Sequence, residues 1–156
     1  MGLLSQSCLL NGGEMSQPYD GDRLLVCPLE ESDFEHVCAV IVSGDGGNFC
    51  GHALLHIGTN WSWYVHIAGV YKEPKFLHEN DYLRYLNENG KRELQRWAVR
   101  LPNPKGAHEK LHELIVKPWL WGIFIHNCAS FVEQVMRAGG SRAGQLFNCP
   151  SMEPFA

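Results

Sequence analysis

The hydrophobic and polar positions of this chain change their period along the sequence, and the changes separate strands from helices. Residues 36–43 are almost continuously apolar, which is typical of a central strand with both faces buried. Residues 51–69 form two runs rich in β-branched and aromatic residues, separated by a Gly-Thr-Asn turn, which predicts a β-hairpin. Residues 93–101 continue this pattern more weakly, so we expect a further strand there.

Helical spacing appears in three later segments. Residues 78–89 carry Tyr and Leu at intervals of three to four and end at a glycine, and residues 105–117 end at a proline. The third helix follows Asn127, because Asn is a good N-cap and the next apolar residues fall on one face.

The order of these elements predicts a single domain over residues 1–156. We expect an α+β fold, with an antiparallel sheet against which the helices pack. Residues 1–21 are small and polar and predict a flexible lead-in, whereas residues 141–156 contain two prolines and predict an irregular tail.

Composition and charge narrow the function classes. The chain is 45% hydrophobic and 19% charged, as in globular rather than disordered proteins. Its net charge of −4 gives no basic footprint, so we expect no nucleic-acid partner. It has no apolar run of about 20 residues, so no integral membrane segment is predicted. The N-terminus lacks a basic leader, which predicts synthesis in the cytoplasm without a signal peptide.

Cys128 is the strongest candidate for a chemical role. Directly after Asn127, it falls in the first turn of the predicted amphipathic helix and on its apolar face. Unpaired backbone N–H groups at a helix N-terminus favour a thiolate. The alternative interpretation is an inert buried cysteine. All six cysteines are expected to be mostly reduced, because a domain of this size does not need disulfides.

The hairpin supplies histidines that can serve this thiol. His52 begins the first predicted strand and His66 lies late in the second, so antiparallel pairing brings them close together. We expect His52 to act as the base and His66 to orient it. His56 competes with His66 for the orienting role, although it lies roughly 13 Å further along the strand than His52.

These residues carry a resemblance to a known superfamily. The motif from His52 to Gly58 (HALLHIG), His66, and the motif from Asn127 to Val132 (NCASFV) together resemble the circularly permuted branch of the NlpC-like, papain-fold cysteine hydrolases. That branch includes the lecithin:retinol acyltransferase group and bacterial cell-wall hydrolases and effectors. The chain departs from the acyltransferase version at Ala129-Ser130, where that group usually carries Glu-His. The resemblance covers about a fifth of the chain.

The resemblance implies a papain-like fold and a Cys-His-His site. Cys128 would be the nucleophile, His52 the base and His66 the third member, and no metal or cofactor would be required. Support would come from Asn127, Ser130 and His126, although the backbone N–H of Cys128 is the better oxyanion donor.

The substrate that the resemblance implies is an amide bond in bacterial peptidoglycan or a lipid ester. The absence of a hydrophobic anchor favours the first, in an antibacterial effector of the type VI kind. Such an effector would be exported by dedicated machinery, would act in a target periplasm and would have a cognate immunity protein as partner. The alternatives are a lipid acyltransferase or phospholipase, a protein or isopeptide protease, and an inactive binding module.

Two further patterns suggest other chemistry. His108, Glu109 and His112 match the H-E-x-x-H motif of zinc proteases, but Lys110 places a cation between the supposed ligands. An exposed, charged amphipathic helix is the alternative interpretation. The tryptophan pairs Trp61/Trp63 and Trp119/Trp121 each share a side of a strand and can line a sugar groove, although sheet packing is the commoner role.

Overall fold

The computed structural model describes residues 16–44, 51–67, 73–116 and 128–142. Its elements, in chain order, are a short 3-10 helix at Glu31–Glu35, strands β1 (Val37–Val42), β2 (His52–Ile57), β3 (Trp63–Ile67) and β4 (Pro74–His78), a 3-10 turn at Glu79–Asp81, helix α1 (Tyr82–Glu88), strand β5 (Glu93–Val99), and helices α2 (Pro104–Val116) and α3 (Cys128–Ala138).

The five strands form one antiparallel sheet in the order β4-β3-β2-β1-β5. The near-continuous apolar character of β1 matches its position, because β1 pairs with β2 on one side and with β5 on the other. The hairpin of β2 and β3 pairs His56 with Tyr64 and turns at Gly58, which has a positive φ of 96°. In the same register, Leu55 lies opposite Val65 and Ile57 lies opposite Trp63.

Each face of the sheet has its own hydrophobic core. One face carries Ala39, Ile41, Ala53, Leu55 and Val65, and α2 and α3 cover it. The α3 residues in this core are all fully buried: Phe131, Val132, Val135 and Met136.

The opposite face is covered by α1. Its core consists of side chains one position out of step along each strand, together with three residues of α1: Val40, Val42, Leu54, Tyr64, Leu77, Tyr82, Tyr85 and Leu86. The rings of Tyr64 and Tyr82 stack with centroids 4.0 Å apart. Residues that alternate along one strand therefore contact different helices.

The fold class predicted from the sequence is confirmed at the level of an α+β domain with an antiparallel sheet and packed helices. The predicted strands at 36–43, 51–69 and 93–101 are present, as are all three predicted helices. Strand β4 was not predicted, because it begins with Pro74 and Lys75 and is only five residues long. No helix in the described ranges combines the length and the apolar character needed to cross a bilayer.

Gly51 fixes the entry into β2 and provides a test of the fold. Its φ is +74°, and an added Cβ would lie 2.6 Å from the backbone oxygen of Val42. Gly90 has a similar φ of +61° but open space around it. We expect Gly90→Ala to lower the free energy of unfolding by about 1 kcal/mol and Gly51→Ala by at least about 2 kcal/mol, measured by urea denaturation. Equal losses would show that β2 does not enter the sheet as described.

Candidate active site

His52 and His66 form a direct pair at the start of β2 and in β3. Nε2 of His52 lies 2.7 Å from Nδ1 of His66, and the ring centroids are 5.0 Å apart. Nε2 of His66 lies 2.7 Å from the backbone oxygen of Asp20. The two imidazoles and one carbonyl therefore form a continuous chain of hydrogen bonds.

The carbonyl at the end of this chain determines where the protons lie. A carbonyl oxygen only accepts, so Nε2 of His66 carries a hydrogen and donates to Asp20. A neutral His66 then has a lone pair on Nδ1, so Nε2–H of His52 donates to it. A neutral His52 consequently presents the lone pair of its Nδ1, which is the state that a general base requires.

Burial keeps both rings neutral. His66 is fully buried, and this burial lowers its pKa to about 4, although the hydrogen bond to Asp20 acts in the opposite direction. Burial also holds the pKa of His52 well below its usual range, and the nearby His66 and Lys91 add to the effect. At neutral pH the pair therefore carries no charge.

The segment that provides the carbonyl is attached to the sheet at several points. Asp22 exchanges two backbone hydrogen bonds with Phe76 of β4, each of 2.8 Å. The carboxylate of Asp20 forms a salt bridge with Lys75. The side chain of Asn89 donates to the backbone oxygen of Tyr19 at 2.7 Å. Residues 16–21, predicted as part of a flexible lead-in, thus include an anchored stretch that completes the histidine pair.

The nucleophile candidate Cys128 is the first residue of α3, as the sequence predicted. Its side chain lies outside what the structure describes, and so do His126 and Asn127. Ser130 lies half-buried in the first turn of α3. At its other end, α3 is fixed by Asn103, whose N–H donates to the oxygen of Gly139 at 2.8 Å.

The register places the histidine pair on the face of the sheet that α1 covers. His52 pairs with Val42, which belongs to the core under α1, and the ring of His66 meets that of Tyr85 at 5.2 Å. Helix α3 packs on β2 and β3 from the opposite face. The described residues of α3 and the histidine pair therefore lie on opposite faces of the sheet.

His56, the competing third member, has other partners. Its Nε2 lies 2.6 Å from a carboxylate oxygen of Glu79, and its ring lies against Tyr64. It is His66 that contacts His52. The sequence left both possibilities open, and the geometry pairs His52 with His66.

The H-E-x-x-H segment lies on α2, where its residues have separate environments. Nε2 of His108 lies 3.0 Å from the backbone oxygen of Leu29, and its ring packs against Phe34. Glu109 lies 3.8 Å from Lys105, and His112 is exposed. Among the residues described, no group of three or more His, Cys, Asp or Glu side chains is arranged to hold a metal ion.

The two tryptophan pairs are described only in part. Trp61 is 76% exposed beside His78, whereas Trp63 is half-buried with its ring edge against His78. Trp119 and Trp121 lie outside the described residues. Trp61 and Trp63 thus differ sharply in exposure.

Sequence reasoning missed two parts of the site. The backbone oxygen of Asp20 has no side-chain signature, and its distance of 46 positions from His66 hides the contact. Tyr85 covers His66 from α1, and the helical spacing of Tyr82 and Tyr85 was the only sequence signal for it.

Comparison with known proteins gives no match: no family model, no curated protein and no solved structure is similar to this chain.

The neutral, buried pair predicts a specific pH dependence of stability. An unfolded histidine takes up a proton near pH 6.5, but His66 in the folded protein does so only near pH 4. The unfolded state binds more protons in between, so this part of the stability is present above pH 6.5 and is lost as the pH falls toward 4. Between pH 7.5 and pH 4.5 the free energy of unfolding should decrease in both proteins. The decrease should be smaller in His66→Gln than in the wild type by roughly 2–3 kcal/mol.

The measurement is urea denaturation at the two pH values, with His112→Gln as the control because His112 is an exposed histidine on α2. The control should follow the wild type. A His66→Gln variant with the pH dependence of the wild type would contradict the buried neutral pair.

Proposed function

We propose that this protein is a cysteine hydrolase that cleaves an amide bond through a thioester intermediate, with Cys128 as nucleophile, His52 as base and His66 as the orienting residue. The observation that carries the proposal is the hydrogen-bond chain from Asp20 through His66 to His52. It leaves Nδ1 of His52 as a proton acceptor on an imidazole held in one tautomer.

The position of Cys128 supports the same role. As the first residue of an 11-residue helix, its backbone lies where unpaired N–H groups favour a thiolate and an oxyanion. Helix α3 rises about 15 Å over this length, away from its fixed end at Gly139. The end of α3 at Gly139 lies beside Leu101, which follows β5 at the end of the sheet opposite His52. A helix that runs from there along β2 and β3 would bring its first turn toward the start of β2.

The reaction follows from these positions. Nδ1 of His52 takes the thiol proton, and the sulfur attacks the carbonyl carbon of the substrate. Backbone N–H groups at the start of α3 stabilise the oxyanion. His52 returns the proton to the leaving amine as the C–N bond breaks, and water then hydrolyses the thioester with His52 again as base.

The proposed substrate is a peptide or amide bond of bacterial peptidoglycan, cleaved by an exported antibacterial effector with a cognate immunity protein. The resemblance of the His52 and Cys128 motifs to the permuted NlpC-like hydrolases supports this substrate class. The same resemblance makes lipid esters the second substrate class, and the experiment separates the two.

The test uses purified peptidoglycan and phospholipid vesicles with wild type, Cys128→Ala and His52→Gln. We expect soluble muropeptides from the wild type, none from Cys128→Ala, and a rate reduced about 10²–10⁴-fold in His52→Gln, because the base is removed. His66→Gln should fall between His52→Gln and the wild type, since it only orients the base. His112→Gln is the matched histidine control and should retain full activity.

Two results would contradict the proposal. Fatty acid release by the wild type without muropeptides would move the protein to lipid chemistry. Equal muropeptide release by wild type and Cys128→Ala would remove Cys128 from the reaction.

A further inference from the structure

A second set of reactive side chains lies at the far end of the sheet from His52. It lines a cavity of about 720 Å³ at the end of the sheet where β1 begins and β2 ends. The residues that line this cavity include Cys38, His56, Ser62, Glu79, Ala98 and Arg100. His56 lies four residues after His52 on β2, so the two sites are separated by roughly 13 Å along the strand.

Cys38 is one of the residues that line this cavity. It is a half-buried free thiol on β1 and pairs with His56 on β2 and with Ala98 on β5. Directly paired residues have Cβ atoms about 5 Å apart, so Cys38 and His56 are neighbours on this face of the sheet. Ala98, the partner of Cys38 on β5, also lines the cavity.

His56 is held from its other side by a carboxylate. Its Nε2 lies 2.6 Å from Glu79, and the hydroxyl of Ser62 donates to the same carboxylate oxygen. Although burial alone would raise the pKa of Glu79, the hydrogen bonds from Ser62 and His56 lower it below its ordinary value. An ionised Glu79 accepts from Nε2–H, so a neutral His56 has its lone pair on Nδ1.

The order of these groups across the sheet is thiol, imidazole, carboxylate, from β1 through β2 to the residue after β4. The ring contact with Tyr64, at 4.6 Å between centroids, restricts the orientation of His56. Val37 and Val99 also line the cavity, although both belong to the core on the opposite face of the sheet.

We propose that Cys38, His56 and Glu79 form a second thiol site, in which Cys38 is acylated by a small ester or thioester bound in the cavity. His56 takes the proton of the thiol as sulfur bonds to the carbonyl carbon. The bond from that carbon to the alcohol or thiol breaks, and His56 gives the proton to this leaving group. The products are a thioester on Cys38 and a free alcohol or thiol.

The experiment is carried out in the Cys128→Ala background, so that the thiol of the proposed hydrolase site cannot contribute. The full-length protein is incubated with p-nitrophenyl butyrate at pH 7. Intact mass spectrometry and peptide mapping then follow acylation at each cysteine. Cys27 is the internal control, because it is also a free half-buried thiol and burial raises its pKa.

We expect Cys38 to be acylated at least tenfold faster than Cys27. Adding His56→Gln to Cys128→Ala should slow the acylation of Cys38 by at least tenfold. Adding Glu79→Gln instead should slow it by a smaller factor. His112→Gln in the same background should leave the rate unchanged. Circular dichroism establishes that each variant is folded. If His56→Gln does not fold, Glu79→Gln still tests the site, because glutamine retains the shape of the glutamate side chain.

Acylation of Cys38 no faster than that of Cys27, or equally fast with and without His56, would overturn the second site. Either result leaves the hydrolase proposal unaffected, because that proposal is tested through Cys128 with peptidoglycan. Conversely, if the wild type releases no muropeptides but Cys38 is acylated rapidly, the hydrolase proposal fails and the second site stands.

Discussion

The hydrogen bond between the buried imidazole of His66 and the half-buried imidazole of His52, anchored on a backbone carbonyl, is the constraint on which the candidate site depends. The Asp20 carbonyl can only accept, so it fixes the proton of His66, and His66 in turn fixes the proton of His52. Burial removes the charged forms of both rings at neutral pH. The tautomer of His52 is therefore determined by the position of one oxygen atom in the segment before β1.

This constraint connects the site to the rest of the fold. The Asp20 carbonyl is held in place because Asp22 pairs with Phe76 and because the Asp20 carboxylate contacts Lys75, so β4 supports the pair indirectly. Tyr85 covers His66 from α1. The edge strand β4 and helix α1 therefore determine the geometry of the histidines, although neither provides a proposed catalytic group.

The candidate histidines and the helix that begins at Cys128 lie on opposite faces of the sheet. Alternation along β2 sends Ala53 and Leu55 toward α3, and His52 and His56 toward α1. The helix that begins at Cys128 and the imidazoles thus belong to different layers, so the proposed site requires the thiol to reach His52 past the end of β2. The same alternation places His56 beside Cys38, which pairs with it on β1.

The sequence predicted those features that arise from local patterns. Apolar periodicity indicated β1, the β2–β3 hairpin and the three helices, and antiparallel pairing was sufficient to bring His52 near His66. It could not predict β4, whose short sequence starts with Pro74, nor the role of Asp20, because a backbone carbonyl leaves no mark on residue type. The partner of His56 was equally hidden, since Glu79 lies 23 positions away and beyond an intervening strand.

The most direct test of the central claim is the protonation state of the two imidazoles, measured by long-range ¹H–¹⁵N NMR on the histidine rings at pH 7. The hydrogen-bond chain predicts that His52 and His66 are both neutral and both carry their hydrogen on Nε2. A hydrogen on Nδ1 of His66, or a protonated ring at either position, would contradict the chain and with it the assignment of His52 as the base.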